Sequence, residues 1–284
     1  MIWKTRRETL DLDTKALVMG ILNVTPDSFS DGGRHDHLEA ALDHARRMIA
    51  EGAAILDIGG ESTRPGSLPV PADEEIRRVV PVIDSIRKVW DGWISVDTAK
   101  AEVADAALRA GADVVNDVSG LRADPEMAAV CAAHRCAVVV MHMQGEPRTM
   151  QVAPHYEDVV REVRGFFEER VETLSRAGIA PEALCFDPGI GFGKTLAHNL
   201  SLLRALDCLS PRGRPLLLGV SRKSFIGMLL GDMDLGLRNW PTVAVTARAR
   251  EMGVLLHRVH EVRPNIEALR MIEAILDGTV SAES

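Results

Sequence analysis

Trp93-Ile-Ser-Val-Asp-Thr-Ala-Lys-Ala-Glu-Val-Ala-Asp-Ala-Ala-Leu-Arg-Ala-Gly-Ala-Asp-Val-Val-Asn-Asp117 is the stretch that decides the fold. Its first five residues form an apolar run closing on Asp97, short enough for a buried strand and too short for a helix. An alanine-rich amphipathic stretch follows and stops at Gly111, a residue suited to a helix C-cap. A second short run, 113–117, closes on Asn116-Asp117. Strand, helix and strand in this order make a βαβ unit, in which the helix carries the chain back so that the strands pair in parallel.

The same alternation recurs along the whole chain. Apolar runs at 16–23, 54–59, 93–97, 113–117, 137–141, 184–187, 216–220 and 254–258 read as strands. Gly52, Gly178 and Gly253 end helical stretches as Gly111 does. Asp36 with Glu39 reads as a capping box before a helix over 38–51, and Asp124-Pro125 as N-cap and N1 of a helix over 126–134. Eight evenly spaced units predict an α/β chain folded as a (β/α)8 TIM barrel. The 284 residues, 46% hydrophobic and with no linker, suit a single domain over 1–284. An open doubly wound sheet is the alternative, which even spacing disfavours.

Acidic residues outnumber basic ones by 41 to 33, for a net charge of -8, so the surface as a whole repels nucleic acid and anionic lipid. An anionic substrate would need a locally basic pocket. Residues 1–13 mix Lys4, Arg6, Arg7, Glu8 and Asp11 into their apolar positions and form no signal-peptide core. No stretch has the apolar length of a membrane span. Cys131, Cys136, Cys185 and Cys208 have no C-x-x-C spacing, which suits reduced thiols and a cytoplasmic location.

In a barrel of this kind the active site is built where strands end, so polar residues closing apolar runs are its candidates. Here they are Asn23, the Gly59–Gly66 segment, Asp97, Asn116-Asp117, Met141-His142, Asp187, Ser221-Arg222-Lys223-Ser224 and Arg258-Val259-His260. Any one of these polar residues reads equally well as an N-cap, and Asp117 fits that role better than Asn116. A ring drawn from nearly every strand is harder to explain as caps. Asp97 and Asp187 end strongly apolar strands, where a carboxylate needs a hydrogen-bonding partner or a polar ligand. They suit a heterocycle rich in N–H donors, a metal, or an acid and base pair. Arg64, Lys223, Arg258 and His260 form a basic pole able to hold a phosphate or diphosphate. The long glycine-rich loops 24–34 and 60–71 are expected to act as lids.

Some apparent motifs fail on inspection. Gly189-Ile-Gly-Phe-Gly-Lys-Thr195 resembles a phosphate loop, but Pro188 stands where the P-loop needs glycine and Lys194 where the dinucleotide pattern needs one. It reads instead as a tight loop bringing backbone and the Phe192 ring to a flat ligand. His35, His37 and His44 lack metal-ligand spacing and are expected to be solvated, as are His134, His155 and His198. Ser28, Ser62, Ser221 and Ser224 show no nucleophile elbow.

Met19-Gly-Ile-Leu-Asn-Val-Thr-Pro-Asp-Ser-Phe-Ser-Asp-Gly-Gly33 and Asp57-Ile-Gly-Gly-Glu-Ser-Thr-Arg-Pro-Gly66 resemble the first two signatures of the dihydropteroate synthase family. So, further along, do Ser95–Thr98, Asn116–Arg122, Phe186–Lys194, Ser221–Ser224 and Arg258–His260. The resemblance implies an enzyme that joins 6-hydroxymethyl-7,8-dihydropterin diphosphate to p-aminobenzoate, a target of sulfonamides. It implies that Asp97, Asn116, Asp187 and Lys223 bond the pterin, with Met141 and Phe192 packed beside it and Arg64 over its face. Asn23, Arg258 and His260 would hold the diphosphate, with Asn23 also a ligand of Mg²⁺. Phe29, Thr63, Pro65 and Ser224 would shape the p-aminobenzoate pocket. Asp97, Asp187, Lys223, Arg258 and His260 would then carry an SN1-like reaction through a pterin methylene cation.

The resemblance further implies a homodimer. Segment 231–241 departs from the family's Gly/Ser-rich pattern, which bears on oligomer contacts more than on chemistry. Two other readings stand beside this one: a pterin-binding methyltransferase barrel, and a non-catalytic pterin-binding paralogue. The Ser-Thr-Arg-Pro-Gly and Ser-Arg-Lys-Ser segments weigh against the first, and the retained charges against the second.

Overall fold

The computed structural model describes residues 1–13, 15–25, 34–62, 67–146, 149–231 and 234–278, except the side chains of residues 34–36 and 212. A small antiparallel hairpin, β1 (Ile2–Lys4) and β2 (Thr9–Asp11), comes first. Eight parallel strands follow: β3 (Leu17–Asn23), β4 (Ile55–Gly59), β5 (Trp93–Asp97), β6 (Val114–Asp117), β7 (Ala137–Met141), β8 (Leu184–Asp187), β9 (Leu217–Leu218) and β10 (Leu256–Val259). Their order, β8-β7-β6-β5-β4-β3-β10-β9, leaves one seam between β8 and β9. A parallel bridge from Phe186 to Leu216 and the Phe186 N–H donating to Pro215 O at 3.0 Å close it. This is the predicted (β/α)8 barrel, and closure removes the open-sheet alternative.

Helices α1 (Arg34–Ala50), α2 (Ala72–Arg87), α3 (Ala101–Ala110), α4 (Met127–His134), α5 (Val159–Arg176), α6 (Leu196–Arg204), α7 (Ser224–Leu230), α8 (Asn239–Glu251) and α9 (Val262–Asp277) form the outer layer. The quoted unit folds as read. Val103, Ala104, Ala107 and Leu108 of α3 are buried, and Gly111, at φ 118°, bonds back to the Ala107 and Leu108 carbonyls. That left-handed turn favours glycine because a Cβ there crowds the following backbone.

Two helix starts differ from expectation. Asp36 lies inside α1, which already runs from Arg34, so Asp36 and Glu39 do not make an N-terminal box. Asp124 acts just before α4. Its Oδ1 accepts the Glu126 N–H at 3.0 Å while Oδ2 accepts the Ala101 N–H at 2.8 Å, tying two helix starts together.

The hairpin plugs the end of the barrel where the strands begin. Trp3 is fully buried, lies 5.2 Å from the Trp93 ring and donates its indole N–H to Ala183 O at 2.9 Å. Around it Met19, Ile55, Trp93, Val114, Ala137, Cys185, Leu217 and Leu256 form an apolar layer inside the barrel. With that end filled, the opposite rim remains for polar groups.

Candidate active site

Register fixes which side chains meet at the rim. Asn23 pairs with Gly59, Gly59 with Asp97, and Asp97 with Asn116, so the ends of four adjacent strands stand at one level. Gly59 lacks the Cβ that would stand 3.5 Å from Asp97 Cβ and 3.7 Å from Asn23 Oδ1. Its missing side chain leaves room for these two polar groups to face the same space.

Arg258, from the next strand around the barrel, crosses the mouth. Its Nε donates to Asp57 Oδ2 at 2.5 Å and its Nη2 to Asp97 Oδ2 at 2.6 Å, while Asn116 Nδ2 donates to Asp57 Oδ2 at 3.1 Å. Among the described residues Nη1 has no hydrogen bond. Asp57 is fully buried, and its Oδ1, like Asp97 Oδ1, has no partner among the described residues. Burial raises the Asp97 carboxyl to about 7; Arg258 opposes the rise and Asp57 adds to it. Burial acts to lower the Arg258 pKa, but Asp57 and Asp97 outweigh it and keep the guanidinium charged. The expected separation into an acidic and a basic pole is therefore corrected. A largely buried guanidinium takes the carboxylates within reach, so the two kinds of charge interlock.

The other side of the mouth is built on β8 and the glycine loop after it. Asp187 is buried and its Oδ1 accepts the Gly189 N–H at 2.7 Å, so this residue also serves the local turn, as its cap reading allows. Burial raises its pKa, against the nearby Lys223 charge. Gly219 leaves space beside Asp187 Oδ2, where a Cβ would come within 3.3 Å, and the same vacancy faces Arg258. Lys223 Nζ donates to Ile190 O and lies 4.5 Å above the Phe192 ring; burial lowers its pKa to about 8 although Asp187 pulls the other way. Met141 packs with Val118, Met143 and Met150, and Phe192 joins them as an apolar wall.

The glycine loop explains itself sterically. A Cβ on Gly189 would meet His142 O at 2.0 Å and one on Gly193 would meet Gln144 O at 2.3 Å, so glycine alone lets it press on the segment after β7. Buried Lys194 then bonds His142 Nδ1 at 3.0 Å, His142 O at 3.2 Å and Phe192 O at 3.0 Å. Burial lowers the Lys194 pKa to about 7. Its polar role is internal, locking two loops together, which the failed phosphate-loop pattern did not disclose.

His260 is half-buried at the end of β10, and its Nδ1 lies 2.9 Å from Ser221 Oγ. Ser224 is exposed at the first residue of α7. Asp117 is not a helix N-cap, since the next helix starts at Met127; its carboxylate instead closes the turn after β6, accepting the Ser119 and Leu121 N–H groups at 2.7 and 3.2 Å. His44 is half-buried with Nε2 unpartnered among the described residues, and His134 bonds Asp105 at 2.7 Å, so neither is the solvated side chain expected. Phe29, Thr63, Arg64 and Pro65, with the tips of both long loops, lie outside the described residues. Asp57 is the rim residue that reading strand ends missed, because it sits inside its strand.

The profile of the family described as pterin binding enzyme matches residues 19–260. The dihydropteroate synthase of Escherichia coli K12 is 48% identical over 261 residues, covering 92% of each chain. The chain belongs to the dihydropteroate synthase family. A dihydropteroate synthase from Xanthomonas albilineans solved with 4-aminobenzoic acid superposes with a TM-score of 0.90 at 46% identity, covering 97% of this chain and 98% of that one. Another structure from that organism, with 7,8-dihydropteroate, gives 0.87 at 44% identity, over 97% and 99% of the two chains. Near-complete coverage by synthases supports the transferase reading, not the methyltransferase or the non-catalytic paralogue.

Proposed function

We propose that this enzyme condenses 6-hydroxymethyl-7,8-dihydropterin diphosphate with p-aminobenzoate, releasing 7,8-dihydropteroate and diphosphate. The observation that carries the reading is the set of buried acceptors Asp57, Asp97, Asn116 and Asp187, interlocked with Arg258 and Lys223 at one rim. Asp97, Asn116, Asp187 and Lys223 would bond the pterin edge, with Met141 and Phe192 on its flat side and Arg64 over its face. Arg258, through Nη1, would hold the diphosphate together with Asn23 and His260. Phe29, Thr63, Pro65 and Ser224 would border the amine.

The bond from the pterin methylene to the bridging oxygen breaks first, its electron pair leaving on the diphosphate. The methylene cation then faces the Asp97 and Asp187 carboxylates, whose charge in a dry site stabilises it. The aryl amine adds its lone pair to that carbon, and its proton leaves to solvent. Such an amine is neutral at pH 7, so no general base is required.

Asn23 offers one neutral oxygen, and among the described residues no three His, Cys, Asp or Glu side chains gather as a metal cage. This donor set fits Mg²⁺ carried mainly by substrate phosphates and waters, where it would neutralise charge on the leaving group.

A cytoplasmic location fits the free thiols and the substrates. A homodimer fits the apolar face of Met228, Leu229, Leu230, Leu235, Leu237 and Trp240, each at least half exposed. Sedimentation of wild type and Trp240→Glu tests this; a wild-type monomer refutes it. For the reaction, diphosphate release measured with both substrates, and with each alone, is the deciding experiment. Release only with both supports the synthase; none with both refutes it.

A further inference from the structure

Ser221 is not a nucleophile by motif, yet it is buried beside His260 and makes two contacts with it. Its Oγ accepts the His260 backbone N–H at 3.2 Å and lies 2.9 Å from His260 Nδ1. A hydroxyl has two lone pairs and one proton. The backbone N–H uses one lone pair, and among the described residues Oγ has no other partner than His260. If Nδ1 carried a proton and donated it to Oγ, the buried hydroxyl proton would be left without an acceptor. If the hydroxyl donates to Nδ1, every group in the contact is satisfied.

The serine is also held in place from outside. Arg222, the next residue, adopts a left-handed φ of 59°, rare for a residue with a side chain. Its Nη2 pairs with Glu261 Oε1 at 2.5 Å, its Nε donates to Asn239 Oδ1 at 2.7 Å, and its backbone N–H donates to Thr242 Oγ1 at 3.2 Å. Residues 221 and 222 thus clamp residues 260 and 261, two loops brought together across 39 positions of sequence. These bonds hold the strained backbone beside Ser221 in place.

We propose that Ser221 is a positioning residue that fixes His260 as its Nε2–H tautomer, so that the neutral ring presents an N–H donor to the leaving diphosphate. The assignment of diphosphate to His260 is the reading given above, on which the functional half of this proposal rests. The tautomer half stands on the contact geometry alone. A neutral imidazole so held donates to an anion without first taking up a proton, and keeps doing so on the alkaline side of its own titration.

The test is nitrogen NMR of the whole enzyme with labelled histidine. The chain has nine histidines, and His260→Gln identifies the resonances by removing them. Wild type is expected to show Nδ1 unprotonated and Nε2 protonated above the ring's titration. Ser221→Ala should give a mixture of tautomers and lower kcat by about ten- to a hundredfold, the range expected when a reacting group is misplaced. It should leave KM for p-aminobenzoate unchanged. Ser221→Thr, which keeps the hydroxyl, should restore both signals and rate. In a His260→Gln background, Ser221→Ala should cost nothing more. A protonated Nδ1 in wild type overturns the tautomer assignment and leaves the diphosphate reading intact. A His260→Gln enzyme that binds and turns over normally overturns that reading, and the functional half with it.

Discussion

At pH 8, Asp97→Asn should move stability and activity in opposite directions. Burial pushes the Asp97 carboxyl up to about 7 in the folded protein from its ordinary 3.8. Its contribution to stability is therefore fully present below the unfolded value and is lost as pH rises through about 7. A rise of about 3 units corresponds to at most about 4 kcal/mol lost by pH 8. Asn removes that loss because it cannot ionise, and its Oδ1 can still accept from Arg258 Nη2. Its NH₂ takes the place of Asp97 Oδ1, which has no partner among the described residues, and an unpaired buried donor costs about 1–3 kcal/mol at every pH. The variant should be less stable than wild type near pH 4 and more stable by about 1–3 kcal/mol at pH 8. Urea denaturation of both proteins across this range should show the two curves crossing. At the same time the chemical step should slow on the order of a hundredfold, because a neutral amide cannot stabilise the methylene cation as a carboxylate does. A variant less stable than wild type at pH 8 would refute the burial argument. Normal single-turnover rates would refute the role of Asp97 in the reaction.

Arg258→Ala leaves Asp57 and Asp97 buried without their shared cation and should destabilise by about 3–5 kcal/mol, read by denaturation; equilibrium binding should show the pterin diphosphate held more weakly, unlike in Asp97→Asn. Diphosphate release should stop in excess chelator and return with added Mg²⁺, and full turnover without the ion would exclude the proposed metal. Replacing Cys131, Cys136, Cys185 and Cys208 with Ala or Ser should leave kcat intact, with about 1 kcal/mol lost at each of the three buried positions and none at exposed Cys208. The kcat/KM profile for the pterin diphosphate should rise with pH through about 7, as the anionic form of Asp97 is populated.

The barrel was legible because its parts are local. A strand ending in a polar residue and a helix ending in glycine are each visible within a few positions, and eight such units imply the rest. The boundaries that moved did so for reasons of packing. The strand read over 216–220 pairs as β9 only at Leu217–Leu218, and Gly219 beyond it stands where a Cβ would crowd Asp187. Residues 1–13 were read only for a signal core. The three-residue strands, which carry Trp3 and lead into Leu12, are too short for periodicity to find, and their stability comes from the barrel end they cover. Asp57 was missed for a related reason. It is the third residue of Ile55–Gly59, where it looks like a polar interruption in a core strand, and its partner Arg258 lies 201 positions away. Only the pairing of β3 with both β4 and β10 brings the two together.

Asp57 also changes the electrostatics of the proposed reaction. Asp97 and Asp187 alone would only balance Arg258 and Lys223, and those four side chains together would offer a developing cation little. Asp57 adds a third carboxylate to Asp97 and Asp187 against Arg258 and Lys223, so this set of five side chains is more negative by one charge when Asp97 is ionised than when it holds a proton. The protonated state is the one that better tolerates an arriving diphosphate, since the added negative charge would repel it. In the proposed reaction the anionic state would stabilise the methylene cation once the diphosphate leaves. Asp97 titrating near neutrality lets one cluster take both states, and the pterin N–H donors, by bonding its charged form, would drive the change from the first to the second on binding.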